Sequence, residues 1–303
     1  MALLRFNNRY RVTLYYQGNV LMQFFSDNVN TNIDFEANII KDGFSNGNSR
    51  STFFFYNLSP DKRNTIEALV TQSKLSSMQL MIETTFVYGQ QNQYQLLTYE
   101  DVVGAYNEQG DGDYKTNLIT KSGEANIVSV YGASSYPPGT KLSQILPVEC
   151  QKLVDGNSIK SVSIKSIIDY TFPYGYVFSG NLFNFLSKLC YENGNLMFVD
   201  NGVLTVAAAS WFNSNNPYQN TLNFYNGLLE APHVGQNNFT QKFQSDQSSV
   251  SFMFKALLLP GIAINDSISV LNQQYTVKRI NHSIRTRAGE AYSVIEGYVN
   301  GSV

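Results

Sequence analysis

The chain has 303 residues, a net charge of -2 and only 15% charged residues, against roughly 25% in an ordinary soluble domain. That length allows two or three domains, and the near-neutral balance excludes a protein whose whole surface grips nucleic acid, which needs clustered Lys and Arg. Asn, Gln, Ser and Tyr supply the polar surface instead. This suits permanent subunit contacts, because neutral groups cost less to desolvate than charges; it also follows from an AT-rich coding bias.

Cys150 and Cys190 are the only cysteines. Both fall in helix-like apolar stretches and there is no CxxC, which predicts buried free thiols in a reducing compartment. No apolar run approaches the roughly 20 residues of a membrane span, so no membrane insertion is expected. The opening MALLRFNNRYR lacks a signal peptide's apolar core, and synthesis in a cytoplasm without export is expected.

In chain order, Tyr10, Val12, Leu14 and Tyr16 alternate with Arg9, Arg11 and Thr13, the period of a half-buried strand. Gly18-Asn19 predicts a hairpin turn, with Val20 to Phe25 returning. Ile33 to Ile40 and the apolar run Phe53 to Leu58 read as strands around a polar connection, Asp42 to Arg50. Ser59-Pro60-Asp61 then starts a helix: Ser accepts orphan N–H groups, Pro has none to lose at the first position, and Asp favours the positive dipole end. Gln79 to Thr84, Leu96 to Val103 and Ala125 to Val130 are further strand candidates, with Asn107 to Asp113 a polar loop.

Tyr136-Pro137-Pro138-Gly139 marks a boundary. Beyond it, Leu142, Ile145, Leu146, Cys150 and Leu153 keep helical spacing, with a kink or split expected at Pro147. Val162 to Ile168 reads as a short strand. Leu182, Phe185, Leu186 and Leu189 predict a helix over Asn181 to Asn193, stopped by Gly194 in a left-handed conformation. Asp200-Asn201-Gly202 between two apolar runs is the strongest short hairpin signal. Trp211 to Asn223 reads as a connector. Strands are expected again at Val250 to Phe254, Ser267 to Leu271, Tyr275 to Ile280 and Tyr292 to Val299. The class is α+β and mainly β: a small α/β unit between two β-rich ones.

Catalytic chemistry is sparse. His233 and His282 are the only histidines, too few for a zinc site with suitable spacing, and no HExxH, GxSxG or Walker motif occurs. His282 reads as a hydrogen-bonded structural residue. Asp111-Gly112-Asp113 lacks the further ligands of a calcium loop. Glu100 and Asp101, adjacent in a strand, point to opposite faces and make a poor acid/base pair. Lys278, Arg279, Arg285 and Arg287 form a modest basic cluster, read as a solvated strand end rather than a phosphate contact. No catalytic residue, cofactor or metal is expected.

Three ordered stretches carry a resemblance. They are the Ile33–Val70 strand–turn–strand–helix, with its "IDF" strand and Tyr56-Asn57-Leu58-Ser59; Phe172-Pro173-Tyr174-Gly175 and Phe178-Ser179-Gly180, followed by the Leu182–Leu189 helix and the Asn201-Gly202 hairpin; and Leu257-Leu258-Leu259-Pro260, then Asp266-Ser267-Ile268, Tyr275-Thr276-Val277 and His282. Together they resemble the baseplate hub proteins of long-tailed phages, related to the hub part of type VI secretion spikes. The resemblance implies two tail-tube-like β-barrel domains, at 1–136 and 211–303, around an α/β domain at 137–210. It implies a homotrimer with pseudo-sixfold symmetry, joining the hexameric tail-tube protein to a central spike protein among other baseplate proteins. DNA would pass transiently through its channel, and the location would be the virion tail baseplate. Asp42, Phe44, Asn46 and Asn48 in the first polar loop, with Arg285 and Arg287, are the expected interface residues. A tail-tube or distal-tail ring is the alternative, and a peptidoglycan hydrolase using Glu100 and Asp101 a further one.

Overall fold

The structure is a computed structural model. It describes residues 8–26, 33–42, 50–71, 78–86, 94–110, 112–121, 130–156, 159–208, 211, 221–234 and 251–299. The first part contains β1 (Asn8–Tyr16), β2 (Asn19–Phe25), β3 (Asp34–Asp42), β4 (Arg50–Tyr56), helix α1 (Pro60–Thr71), β5 (Met78–Phe86), β6 (Gln95–Gly110) and β7 (Asp113–Lys121). Next come β8 (Tyr131–Tyr136), α2 (Leu142–Asp155), β9 (Ser161–Ile164), β10 (Tyr176–Asn181), α3 (Leu182–Glu192), β11 (Asn195–Asp200) and β12 (Val203–Ala208). The elements described in the last part are strands: β13 (Leu228–Val234), β14 (Ser251–Leu257), β15 (Ser267–Val270), β16 (Gln273–Arg285) and β17 (Glu290–Val299). The fold is α+β and mainly β.

The first and last parts share one 12-stranded sheet, ordered β13-β14-β17-β16-β3-β4-β7-β6-β5-β1-β2, with β15 on β16. The seam is the antiparallel pair β16–β3, running from Arg279 opposite Asp42 to Arg285 opposite Glu36. Among the described residues no pairing joins β2 to β13, so the hydrogen-bonded path is open. At Gly297, beside the register shift between Val277 and Arg279, an added Cβ would lie 2.6 Å from the Thr276 carbonyl oxygen. Only glycine fits there without the backbone moving.

Among the described residues three hydrophobic clusters form the interior. The first fills the β1–β7 side, with Phe24, Phe35, Phe53, Phe55 and Ile82, and extends to Ile284 of β16. A second packs α2 and α3 against Leu204 and Val206. The third lies under β14–β17, around Phe254, Ile268 and Ile295. Each aromatic or branched side chain fully buried this way contributes roughly 1.5–3 kcal/mol of transfer free energy.

Local signals behave as their chemistry predicts, with informative shifts. The first hairpin turns at Gln17-Gly18, both at positive φ, one residue before the expected Gly18-Asn19. Asn201 and Gly202 are both left-handed, with Asp200 opposite Val203, the two-residue hairpin that Asn-Gly favours. Gly194 has φ +72 and ends the turn after α3. Helix α2 runs through Pro147 without splitting. Its first turn is satisfied from outside, since the Ser143 backbone N–H and hydroxyl both donate to Asp169. The described residues of the NEQGDGD segment are strand rather than loop: β6 continues to Gly110, which pairs with Asp113 of β7, and Asp111 lies outside the described residues. The candidate strand Ala125–Val130 lies outside the described residues except for Val130.

Candidate functional site

Along β3 the core-facing positions are Phe35, Ala37, Ile39 and Lys41, all buried. Across the seam Ile284, His282 and Ile280 stand opposite Ala37, Ile39 and Lys41. The core face therefore changes character along the strands. One end is a stack of phenylalanines; the other holds Lys41, Ser51, Thr98, Glu100, Thr120 and His282, all buried.

The tip of the β11–β12 hairpin covers that polar end. Lys41 reaches Asp200 at 3.1 Å, with both side chains largely buried. The Tyr99 backbone N–H donates to Asn201 Oδ1 at 3.0 Å. Lys160, whose N–H donates to the Gly202 carbonyl, lays its ammonium over the Tyr99 ring. A Cβ on Gly202 would meet Lys160 carbons at 3.3 Å, so glycine serves both the turn and the close approach. The hairpin thus clamps the α/β unit to the sheet by one buried ion pair, one hydrogen bond and one cation–π contact.

Carboxyls crowd this junction. Burial raises the Glu100 carboxyl above its usual range, against hydrogen bonds donated by Thr120, Thr98 and Ser51 and the nearby Lys41 charge. Burial also raises Asp266 to about 6, with the Ala263 N–H and Lys41 acting the other way. Asp101, on the opposite face of β6, is likewise raised to about 6 by burial, while Gln79 and Lys160 lower it. His282 is held well below its ordinary value by burial and then by Lys41; its Nδ1 lies 2.8 Å from Ser293 Oγ. Burial lowers Lys278 to about 8, and its ammonium donates to Asn265 Oδ1 at 2.7 Å.

Asp42, Arg285 and Arg287, the described members of the expected interface set, fall at the two ends of the seam. Asp42 accepts from Arg279, which also lies 3.8 Å from Glu296. Arg287, at the other end, bridges Asp34 at 3.1 Å and Asp113, and its guanidinium sits 4.1 Å from the Tyr56 ring centroid. Arg285 lies 3.7 Å from Glu290 across its own hairpin. With about 3.4 Å per residue, the six steps of the seven-residue register from Arg279 to Arg285 span roughly 20 Å, so these residues form two patches. Phe44, Asn46 and Asn48 lie outside the described residues. Each cation of the basic cluster has a partner within the chain, Lys278 included.

Glu100 and Asp101 do point to opposite faces, and Glu100 is sealed from solvent. Among the described residues no three His, Cys, Asp or Glu side chains gather as a metal site, and no helix is long and apolar enough to cross a membrane. Cys150 and Cys190 are buried and free, and burial raises both thiols to about 12. The sequence does not point to Lys41 as a site residue, and it marks Asp200 and Asp266 only as parts of a turn and of a resembling stretch. Their signal was present: Lys41 sits in the buried phase of Phe35-Ala37-Ile39, and Asp200 precedes the strongest hairpin turn.

No protein-family profile matches the chain. No curated protein matches it in sequence. Solved structures do match in shape. A tail protein from Neisseria meningitidis MC58 superposes with a TM-score of 0.61 at 10% identity, covering 96% of this chain and 97% of that one. The 43 kDa tail protein of prophage MuSo2 from Shewanella oneidensis gives 0.59 at 11% identity, with 95% and 97% covered. An Escherichia coli component of the type VI secretion system, described as similar in structure to the bacteriophage T4 tail proteins gp27 and gp5, gives 0.53 at 9% identity, covering 89% and 74%. The chain is thus similar in fold to these tail proteins and to this component of the type VI secretion system.

Proposed function

We propose that the chain is a structural virion protein, the trimeric baseplate hub that adapts a hexameric tail tube to a trimeric central spike. On this reading residues 1–136 and 211–303 supply two tube-like barrel units, and 137–210 the α/β unit between them. The assembled ring forms part of the DNA-ejection channel. Its partners are the tail-tube protein, the central spike protein and other baseplate proteins. It is made in the host cytoplasm and resides in the tail. The observation that carries this reading is the likeness in fold over nearly the whole length of two tail proteins.

Two features support it. The sheet ends differ: β2, Asn-Val-Leu-Met-Gln-Phe-Phe, has no charge and no proline. In contrast, β13 carries Glu230, Pro232 and two register shifts. Natural edge strands are guarded by such charges, prolines and bulges; β2 has a single register shift against β1, between Leu14 and Tyr15, and neither of the other two devices, so the less guarded β2 suits burial in an assembly. A low-charge chain likewise suits permanent subunit contacts and a lumen that does not trap DNA.

Copy number tests the reading. Native mass spectrometry of the purified chain, with electron microscopy of tail tips, is expected to give three copies per ring. Six copies would replace the hub by a tail-tube or distal-tail ring. No clearing of cell-wall substrate is expected; clearing that is lost on Glu100→Gln or Asp101→Asn would establish a hydrolase instead.

A further inference from the structure

The second open edge lies in the α/β unit. Strands β8 and β10 form a two-stranded antiparallel ribbon, paired without a break from Tyr176 opposite Tyr136 to Asn181 opposite Tyr131. One face packs inward. Phe178 stacks on Phe185 of α3 at 3.8 Å between ring centroids, and Ser134 and Tyr136 donate to Glu149 of α2. The other face is open: Tyr131 is 74% and Val177 77% exposed, and Ala133, Ser135 and Ser179 are exposed beside them.

The ladder fixes which backbone groups face outward. The Leu182 N–H donates to the Val130 carbonyl at 3.0 Å, which makes that couple a hydrogen-bonded pair in the same register. Such pairs alternate with non-bonded ones in an antiparallel ladder. Hence Gly180–Gly132, Phe178–Ser134 and Tyr176–Tyr136 are bonded across the ribbon. The N–H and C=O groups of Val177 and Ser179 on β10, and of Ala133 and Ser135 on β8, point away from it. Among the described residues no hydrogen bond reaches those outward groups. Neither strand contains a charged residue, a proline or a bulge, the devices that keep an edge from pairing. A two-stranded ribbon is also marginal by itself and gains from a third strand.

We infer that the β8–β10 ribbon is a strand-pairing surface between copies of this chain, the β10 edge of one copy adding to the β8 edge of the next. A second copy is the matching occupant on chemistry. Both edges are six residues long, both are neutral, and each offers the outward groups the other needs. A charged peptide or nucleic acid finds nothing here to neutralise. The contact is head-to-tail, so it propagates around a ring and is not used up by one twofold pair. The exposed Tyr131 and Val177 then cover apolar surface on the extended ribbon.

The inference concerns the ribbon, whereas the hub reading concerns the large sheet, so each can fail alone. Hydrogen exchange of the full chain, followed across its self-association by light scattering, tests it. The amides of Ala133, Ser135, Val177 and Ser179 are expected to slow by about tenfold or more on association, while Ser134 and Phe178, already bonded across the ribbon, serve as internal controls. Val177→Lys is expected to weaken association by about tenfold or more with an unchanged melting point, because the side chain is exposed. A trimer in which those four amides exchange at the monomer's rate would overturn the inference and leave the hub reading standing. Association through protected ribbon amides in a ring of another size would do the reverse. A chain that stays monomeric at all concentrations overturns both. Should Val177→Lys fail to fold, the exchange measurement on the unaltered chain still decides.

Discussion

The two ends of the β3–β16 seam use the same chemistry in opposite surroundings. At one end Arg287 pairs with Asp34 and Asp113 in open solvent; at the other Lys41 pairs with Asp200 under the β11–β12 hairpin, with Lys41 4% exposed. Exposed pairs gain little, because water and salt screen the attraction and two long side chains lose freedom. A buried pair gains more attraction but has lost the hydration of two ions, and the balance turns on whether every remaining polar atom is satisfied. The solvent end of the seam is therefore ornament to stability, while the buried end determines whether the α/β unit stays docked.

The largest expected effect follows from breaking the buried pair. Lys41→Met leaves the Asp200 carboxylate buried without its ammonium, a loss of about 3–5 kcal/mol, measured by urea unfolding. The double variant Lys41→Met/Asp200→Leu should recover at least half of that loss, since neither ion is then stranded. Equal destabilisation in the single and double variants would mean that the site's shape, not its charge, holds the junction.

Acidity sharpens the same contrast. Asp266 and Asp101 have folded-state values of about 6, raised by burial from 3.8. Their protonated forms are thus favoured in the folded chain. The stability this contributes is full below about pH 4 and is lost as pH rises through about 6, on the order of 2–3 kcal/mol for each group. Burial moves Glu100 in the same direction. Relative to the unaltered chain, Asp101→Asn/Asp266→Asn should show a flatter decline of unfolding free energy between pH 4 and pH 7. Parallel profiles would place both carboxyls in water. A smaller effect is expected of Asn201→Ala, which removes the acceptor of the Tyr99 N–H and a residue suited to positive φ. It should cost about 1 kcal/mol, read as a shift in the denaturation midpoint.

Much of the local structure was legible. The buried phase of Tyr10, Val12 and Leu14 in β1, the start of α1 at Pro60, the stripe of α3, Gly194 and the Asn201-Gly202 turn each depend on chemistry within a few residues; Thr13, expected on the other face of β1, is buried as well. What escaped depends on distant partners. Strand β7, Asp113–Lys121, has a short apolar stretch framed by polar residues and is a strand because β4 and β6 flank it. Strands β8 and β10, rich in Gly and Ser, show no apolar period and are ordered by the helices beneath them. That the first and last parts of the chain would share one sheet is set by the β16–β3 register, which no local pattern encodes. Of the junction, the turn was visible and the phase of Lys41 was available; its pairing with Asp200, 159 residues away, was not.

The smallest effects are expected at the solvent end, and they decide what those arginines are for. Arg285→Ala removes only a 3.7 Å pair between half-exposed groups within one hairpin, so the melting point should not move measurably. Arg287→Ala loses contacts to Asp34, Asp113 and the Tyr56 ring. Those contacts join the β16–β17 hairpin to the starts of β3 and β7, but the first two are screened by water, and their small effect should fade further in high salt. The Asp113 carboxyl, held below its usual range by Arg287 and then Asn57, should titrate higher in the variant, an NMR readout independent of stability. If either substitution impairs assembly while leaving unfolding unchanged, the arginine acts between subunits despite its partners within the chain. If Arg287→Ala instead destabilises the monomer as strongly as Lys41→Met, screening is not what separates the two ends of the seam.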